Sequence, residues 1–103
     1  MSKTENKHIT VNVKDLSFKS EQHVADLTRF IAESLPQIVI NRSGNDLEIE
    51  MPKTLSKRAI RLRIKKFLYK KELKNEFRPI SFKSMDKEGY LVKERKVAEL
   101  TYY

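Results

Sequence analysis

SKRAIRLRIKKFLYKKELKNEFR, residues 56–78, carries two superposed patterns. One is apolar and helical. At 100° per residue, Ile60, Ile64, Phe67 and Leu68 fall within one stripe about 100° wide, the width of a face that packs on a core. The other is cationic. Arg58, Arg61 and Lys65 lie on one flank of the stripe, and Arg63, Lys66, Lys70 and Lys74 lie on the other. Opposite the stripe sit Leu62, Tyr69 and Leu73, an apolar and aromatic strip between cationic ridges. Thr54 or Ser56 caps the start, and the spacing predicts a helix to about Lys74.

Such a helix needs a surface to cover its stripe, and the flanking segments supply a sheet. HITVNVK alternates strictly, with Ile9, Val11 and Val13 on one face and His8, Thr10, Asn12 and Lys14 on the other, which is a half-buried strand. A first helix follows, capped at Ser17 or Ser20, with Glu21 near its positive end. Val24, Leu27, Ile31 and Leu35 form its stripe, Phe30 lies beside them, and Pro36 stops it. QIVINRSGNDLEIEM is a hairpin turning at Ser43-Gly44-Asn45-Asp46. Ile38 and Ile40 share one face; Leu47, Ile49 and Met51 point to the core, and Glu48 and Glu50 point outward. FRPISFKSM is a strand with Ile80 and Phe82 inward, held late or at an edge by Pro79. GYLVKERKV is the last strand.

Helices separated by hairpins imply an α+β fold, a mainly antiparallel sheet with two helices packed on one face, in the order strand, helix, hairpin, helix, hairpin. With 103 residues the chain suffices for one small domain, expected over residues 8–98, between a disordered tail at 1–7 and a short tail at 99–103.

The charge is concentrated in one place. Between Lys53 and Arg78 there are eleven basic and two acidic residues, a net of +9, while the rest of the chain nets −1, giving +8 overall. A solvated helix face interleaves both signs; this one does not. Lys57 and Arg58 also occupy the first turn, where the helix dipole disfavours cations by roughly 0.3–1 kcal/mol each. Lys66, Lys70 and Lys74 repeat like charge at four-residue spacing, which is repulsive. Broken local rules without local compensation mark functional sites. A polyanion supplies the compensation, because phosphates neutralise rows of Lys and Arg and release condensed counterions.

The major groove of A-form RNA is too narrow for a helix to read, so a helix of this kind lies along phosphates and recognises shape. Arg58, Arg61, Arg63 and Arg78 can each grip a phosphate with two donors. The candidate RNA-binding set is Lys57, Arg58, Arg61, Arg63, Lys65, Lys66, Lys70, Lys74 and Arg78. Tyr69 either stacks on an unpaired base or packs within the protein.

The same segment resembles the signature of a eukaryotic large-subunit ribosomal protein family, number twenty-two of the eukaryote-specific kind and unrelated to its bacterial namesake. The matching features are Ser56-Lys57-Arg58, Lys65-Lys66-Phe67-Leu68, Lys70, Leu73-Lys74 and Phe77-Arg78. The ADLTRFIAESL helix, the VINRSGNDLEIEMP hairpin and the FKSMDKEGYLVKERKV hairpin follow in the family's order, so the resemblance spans about Ile9 to Val97. It implies an α+β protein on the surface of the large ribosomal subunit, contacting ribosomal RNA through the basic helix and lying among neighbouring ribosomal proteins. It also implies a cytoplasmic, ribosome-bound location with a nuclear phase during assembly, and it admits binding of structured RNA hairpins outside the ribosome. The family's long basic N-terminal extension and acidic C-terminal tail have no counterpart in this sequence, as in a reduced or divergent lineage.

Other readings are weaker on the residues. With no cysteine, disulfides, thiolate zinc sites and cysteine nucleophiles are excluded. His8 and His23 are on different elements, and no glycine-rich phosphate loop, paired-carboxylate site or metal-ligand cluster is evident. No enzyme activity, cofactor, metal or small-molecule substrate is therefore expected. No apolar run approaches the ~18 residues of a membrane span, and the N-terminus has no apolar stretch of signal-peptide type. A basic helix can bind anionic lipid, but its apolar stripe is needed for the core. DNA binding has no helix-turn-helix or finger pattern to support it.

Overall fold

The computed structural model describes residues 6–95. Its elements are β1 (Asn6–Asn12), α1 (Lys14–Lys19), α2 (Glu21–Ser34), β2 (Val39–Ser43), β3 (Asp46–Pro52), α3 (Lys57–Lys70), β4 (Phe77–Lys83) and β5 (Glu88–Glu94). The strands form a five-stranded sheet in the order β2-β3-β1-β5-β4. Its neighbours are antiparallel except β1 and β5, which run parallel with Thr10 opposite Gly89 and Asn12 opposite Leu91. The α+β class and the mainly antiparallel sheet are as the sequence implies.

Alternation in the strands decides which face the helices cover. Ile9 faces Ile49 and Val11 faces Leu47 across the β1–β3 ladder, and all four are buried. They meet Leu16 of α1, Val24, Leu27 and Ile31 of α2, and Ile60, Ile64, Phe67 and Leu68 of α3 in one core. His8, Glu48 and Glu50 fall on the opposite, open face, where Asn6 donates to Glu50 at 2.8 Å. Gly44, at φ +62, makes the β2–β3 turn where the sequence places it.

Four details differ from the sequence expectation. The first helix is two helices. Ser20 is extended, with φ −171, and its Oγ accepts from the Gln22 N–H at 3.2 Å. It ends α1 and caps α2, so there are three helices rather than two. The short α1 is held because Leu16 is buried and Asp15 accepts from the Glu94 N–H at 3.0 Å. Second, Asn6 and Lys7 belong to β1 rather than to a tail. The remaining tail residues, and the domain end placed at residue 98, lie outside the described residues.

Third, Ile80 and Phe82 do not point to the core. Phe77 pairs with Glu94, Pro79 with Val92 and Ser81 with Tyr90, which sets the odd positions of β4 on the helix-covered face. Ile80 and Phe82 face Leu91 and Gly89 on the open side, half-buried. FRPISFK carries apolar side chains at both parities, and a one-residue slip exchanges the faces. Burial of Phe77 decides the register. β4 does lie at an edge, as Pro79 requires. The fourth difference, the end of α3, belongs to the interface described below.

Gly89 is fixed by packing between strands. A Cβ there would lie 1.8 Å from the Thr10 carbonyl oxygen, so β5 approaches β1 only with glycine at this register. Gly89→Ala should force the parallel pair apart and cost about 1–3 kcal/mol or more. Ile64→Ala, which empties a fully buried position, should cost about 2–5 kcal/mol. Urea unfolding of both variants measures this, and unchanged midpoints would refute the packing described.

Candidate nucleic-acid interface

α3 starts at Ser56, whose Oγ accepts from the Arg58 N–H at 3.0 Å, and its first turn holds no acidic residue. Ile60, Ile64, Phe67 and Leu68 are buried, as the wheel predicts. Arg58, Arg61, Lys65, Lys66 and Lys70 are exposed along the remaining face, while Arg63 is half-buried with its Nε enclosed and without a hydrogen-bond partner. Leu62 and Tyr69 are 55% and 67% exposed, so an apolar strip does separate the cations.

The helix ends one turn earlier than the spacing suggests. It stops at Lys70, Lys71 is the C-cap, and Glu72 takes the left-handed conformation with φ 62. The Glu72 N–H donates to the Tyr69 carbonyl at 3.1 Å and the Leu73 N–H to the Leu68 carbonyl at 2.7 Å. This pair of bonds is the Schellman closure, which normally uses glycine at the left-handed position and packs the next residue back on the helix. Accordingly Leu73 is buried, not on the exposed strip. Because the chain turns there, Lys74 leaves the helical flank on which the sequence places it. Its Nζ lies 4.8 Å from the centre of the Tyr69 ring.

The turn creates a cleft of about 320 Å³ between the C-terminal half of α3 and the start of β4. Leu68, Tyr69, Phe77 and Pro79 supply its apolar lining, and Lys65, Lys66, Lys74 and Arg78 bring cations to it. Arg95 completes the lining and was not among the sequence candidates. It donates through Nε to the Lys74 carbonyl at 3.1 Å, and its N–H donates to the Glu76 carbonyl at 2.7 Å. The signal for it was the hairpin register, since Glu94 pairs with Phe77 and the next residue must lie beside the approach to β4.

Among the described residues, none of the nine candidate cations makes an ion pair. Two nearby carboxylates are occupied by others, while Glu72, exposed in the turn beside Lys70 and Lys74, makes no ion pair among the described residues. Asp26 of α2 receives Lys71 at 3.3 Å and Arg29 at 3.1 Å, and Glu76 receives Lys19 at 2.9 Å. What compensation exists is aromatic. Lys57 lies 4.9 Å from the Tyr90 ring centre and donates to Ser81 Oγ at 3.1 Å, and Lys70 lies 5.7 Å from the Phe30 ring centre. The first-turn Lys57 is therefore partly provided for by the β4–β5 hairpin, which the sequence does not reveal. Burial raises the Tyr90 hydroxyl above its ordinary pKa, against the nearby Arg61 and Arg58 charges.

The remaining chemistry is sparse. His8 is exposed on the open sheet face, and His23 is half-buried in the first turn of α2 with Nδ1 enclosed. Among the described residues no three His, Asp or Glu side chains are grouped to hold a metal, and no helix is long and apolar enough to cross a membrane. No protein-family model matches the chain, and no curated protein matches it significantly.

Two outcomes test the supports of this surface. Left-handed backbone costs a non-glycine residue roughly 1–2 kcal/mol, so Glu72→Gly should stabilise the fold by about 0.5–1 kcal/mol; a loss of stability on thermal unfolding would contradict the turn. The Asp26 carboxyl is held below its ordinary value of 3.8, chiefly by the Gln22 hydrogen bond and further by Lys71 and Arg29, against its partial burial. Its contribution is thus present above the ordinary value and lost as pH falls through the depressed folded value. Asp26→Asn should be less stable than wild type at neutral pH, with the gap closing in acid. A gap independent of pH would show that the charge on Asp26 does not join α2 to α3.

Proposed function

We propose that the chain is an RNA-binding protein of the large ribosomal subunit, holding ribosomal RNA phosphates on the outer face of α3. The observation that carries this is the surface just described: Lys57, Arg58, Arg61, Arg63, Lys65, Lys66, Lys70, Lys74 and Arg78 occupy one helix, the turn after it and the next strand, and none has a carboxylate partner among the described residues. A surface that repels itself is relieved by a polyanion. Exposed Arg58, Arg61 and Arg78 suit bidentate phosphate contacts; the lysines act as point charges. The ribosomal part of the proposal rests on the ordered sequence resemblance, and with it come neighbouring ribosomal proteins as partners and a place on cytoplasmic ribosomes after nuclear assembly.

Recognition by such a face is by shape. Phosphate contacts fix register and orientation without reading bases, and the spacing of phosphates in a stem differs from that in an extended strand. A structured RNA outside the ribosome, or DNA, is the second reading, supported by the same charges. An anionic membrane surface is less well supported. The apolar stripe of α3 is buried in the core, and of its outer face only Leu62 and Tyr69 are exposed apolar residues, too few to insert as an amphipathic helix does.

Binding should be strongly salt-dependent. If about half of the nine cations touch one RNA at once, log affinity should fall with log salt at a slope of roughly −3 to −6. The pairs Arg61→Glu with Lys65→Glu, and Lys66→Glu with Lys70→Glu, should each reduce the magnitude of that slope by about two and leave the circular dichroism spectrum intact. Tagged protein should also sediment with large ribosomal subunits, and ribonuclease should release it. A flat salt response in titrations of an RNA stem-loop would remove the phosphate mechanism. Protein remaining at the top of the gradient would remove the ribosomal assignment alone.

A further inference from the structure

We propose that the cleft between α3 and β4 takes one unpaired nucleotide of the bound RNA, its base against Tyr69 and the apolar floor and its flanking phosphates on the rim. This rests on the phosphate-binding reading above and adds to it a pocket for a base.

Three features of the cleft lead to that occupant. First, its floor is apolar where a phosphate-tracking surface has no use for apolar groups. Its accessible apolar surface is that of exposed Tyr69 and half-buried Pro79, backed by Phe77 and Leu68, which are almost wholly buried. A paired stem presents phosphates, sugars and groove edges, and it leaves such a floor uncovered. An unstacked base has apolar faces to place there. Second, Tyr69 is 67% exposed despite being aromatic, and among the described residues the ring contact it makes is with the Lys74 ammonium at 4.8 Å. The ammonium over the ring takes one face, and the ring's exposure leaves area on which a base can stack. Third, the charges at the rim are all positive: Lys65, Lys66, Lys74, Arg78 and Arg95. An acidic peptide would meet the same charges, but a nucleotide combines an aromatic face with a phosphate on either side within one residue, and the cleft lining holds both an aromatic ring and cations.

Size and rigidity agree. About 320 Å³ lies at the low end of the ~300–1,000 Å³ typical of small-molecule sites, enough for one nucleotide and too little for a helix. The walls are tied together rather than loose. Arg95 bonds the Lys74 and Glu76 carbonyls, so the end of β5 braces the turn that carries Lys74. The Schellman closure at Glu72 and Leu73 braces the other side of the same turn.

The test uses three RNA hairpins of one stem sequence: fully paired, with a single bulged 2-aminopurine, and with an abasic residue at the bulge. Wild-type protein should bind the 2-aminopurine hairpin about tenfold more tightly than the abasic one, as expected for one base–aromatic stack, and should quench its fluorescence. Tyr69→Ala should abolish both the preference and the quenching, Tyr69→Phe should keep them, and neither should alter affinity for the paired hairpin or its salt slope. Equal affinity for the bulged and abasic hairpins, or quenching that survives Tyr69→Ala, would overturn the pocket while salt-dependent binding of the paired hairpin leaves the phosphate reading standing. Loss of salt-dependent binding to all three RNAs would overturn both.

Discussion

The arrangement of the surface depends on α3 having to commit one face to the core. Ile60, Ile64, Phe67 and Leu68 join the common core, with α3 packed beside α2 and β4, and are removed from water, a burial worth roughly 1.5–3 kcal/mol per side chain relative to exposure. That stripe takes about a third of the helix circumference. Of the other positions Ala59 packs beside the stripe and Arg63 is half-buried, and most hold a cation. The side chains beside the stripe are therefore held at fixed bearings by a rigid core rather than scattered on a flexible arm. A disordered basic tail would offer the same charge, but it would have to be ordered on binding, at an entropic cost the folded helix has already met.

The same commitment explains how so much like charge is tolerated. Coulomb repulsion between unit charges falls from about 4 kcal/mol at 4 Å near a protein surface towards the bulk-water value of about 1 kcal/mol as the groups move out into solvent, and the long exposed side chains can splay. Several ammoniums also rest over rings. Lys57 over Tyr90, Lys70 over Phe30 and Lys74 over Tyr69 each gain roughly 0.5–1 kcal/mol at an exposed site. These contacts stabilise the free protein without neutralising the surface, whereas carboxylate partners would have cancelled its field. Glu48 and Glu50 lie on the open face of the sheet, away from the helices. The cationic excess is thus local to α3 and the turn after it, and a polyanion approaching from solution is drawn to that segment.

Much of this was legible in the sequence, for reasons specific to each element. Period-two alternation in β1 and β3, and period-3.6 stripes in α2 and α3, give both element type and buried face, because burial on one side only leaves that pattern. Gly44 reveals its turn because few other residues accept its backbone conformation. The failures have a physical pattern too. β4 carries apolar residues at both parities, so only tertiary packing of Phe77 chooses its register. The parallel β1–β5 pairing joins segments some eighty residues apart and has no local signature; Gly89 is its one trace, and its meaning depends on knowing that the Thr10 carbonyl lies opposite. Among the cations, seven of the nine stand exposed or half-buried along α3 and its turn where they could meet one ligand; Arg78 reaches the cleft from the start of the edge strand β4, at a position of the same parity as Ile80 and Phe82, and Lys57 is bent onto the β4–β5 hairpin, an arrangement visible only once that hairpin is placed beside the helix.

The least legible element is the one on which the cleft depends. A helix that ends in a Schellman closure normally announces itself with glycine; here Glu72 occupies that position, and the run KKELK reads as continuing helix. The closure forms because Leu73 gains more by folding back into the core beside Leu68 than the left-handed residue before it loses: burial of a leucine is worth roughly 1.5–3 kcal/mol, against roughly 1–2 kcal/mol for the strained conformation. Had α3 continued to Lys74, that lysine would have extended a helical ridge, and β4 could not have begun with Phe77 under the helix. By stopping at Lys70, the chain brings Lys74, Arg78 and Arg95 around the exposed ring of Tyr69. A one-dimensional row of charge becomes a concave site, and a surface able only to track phosphates acquires a place where a base can be held.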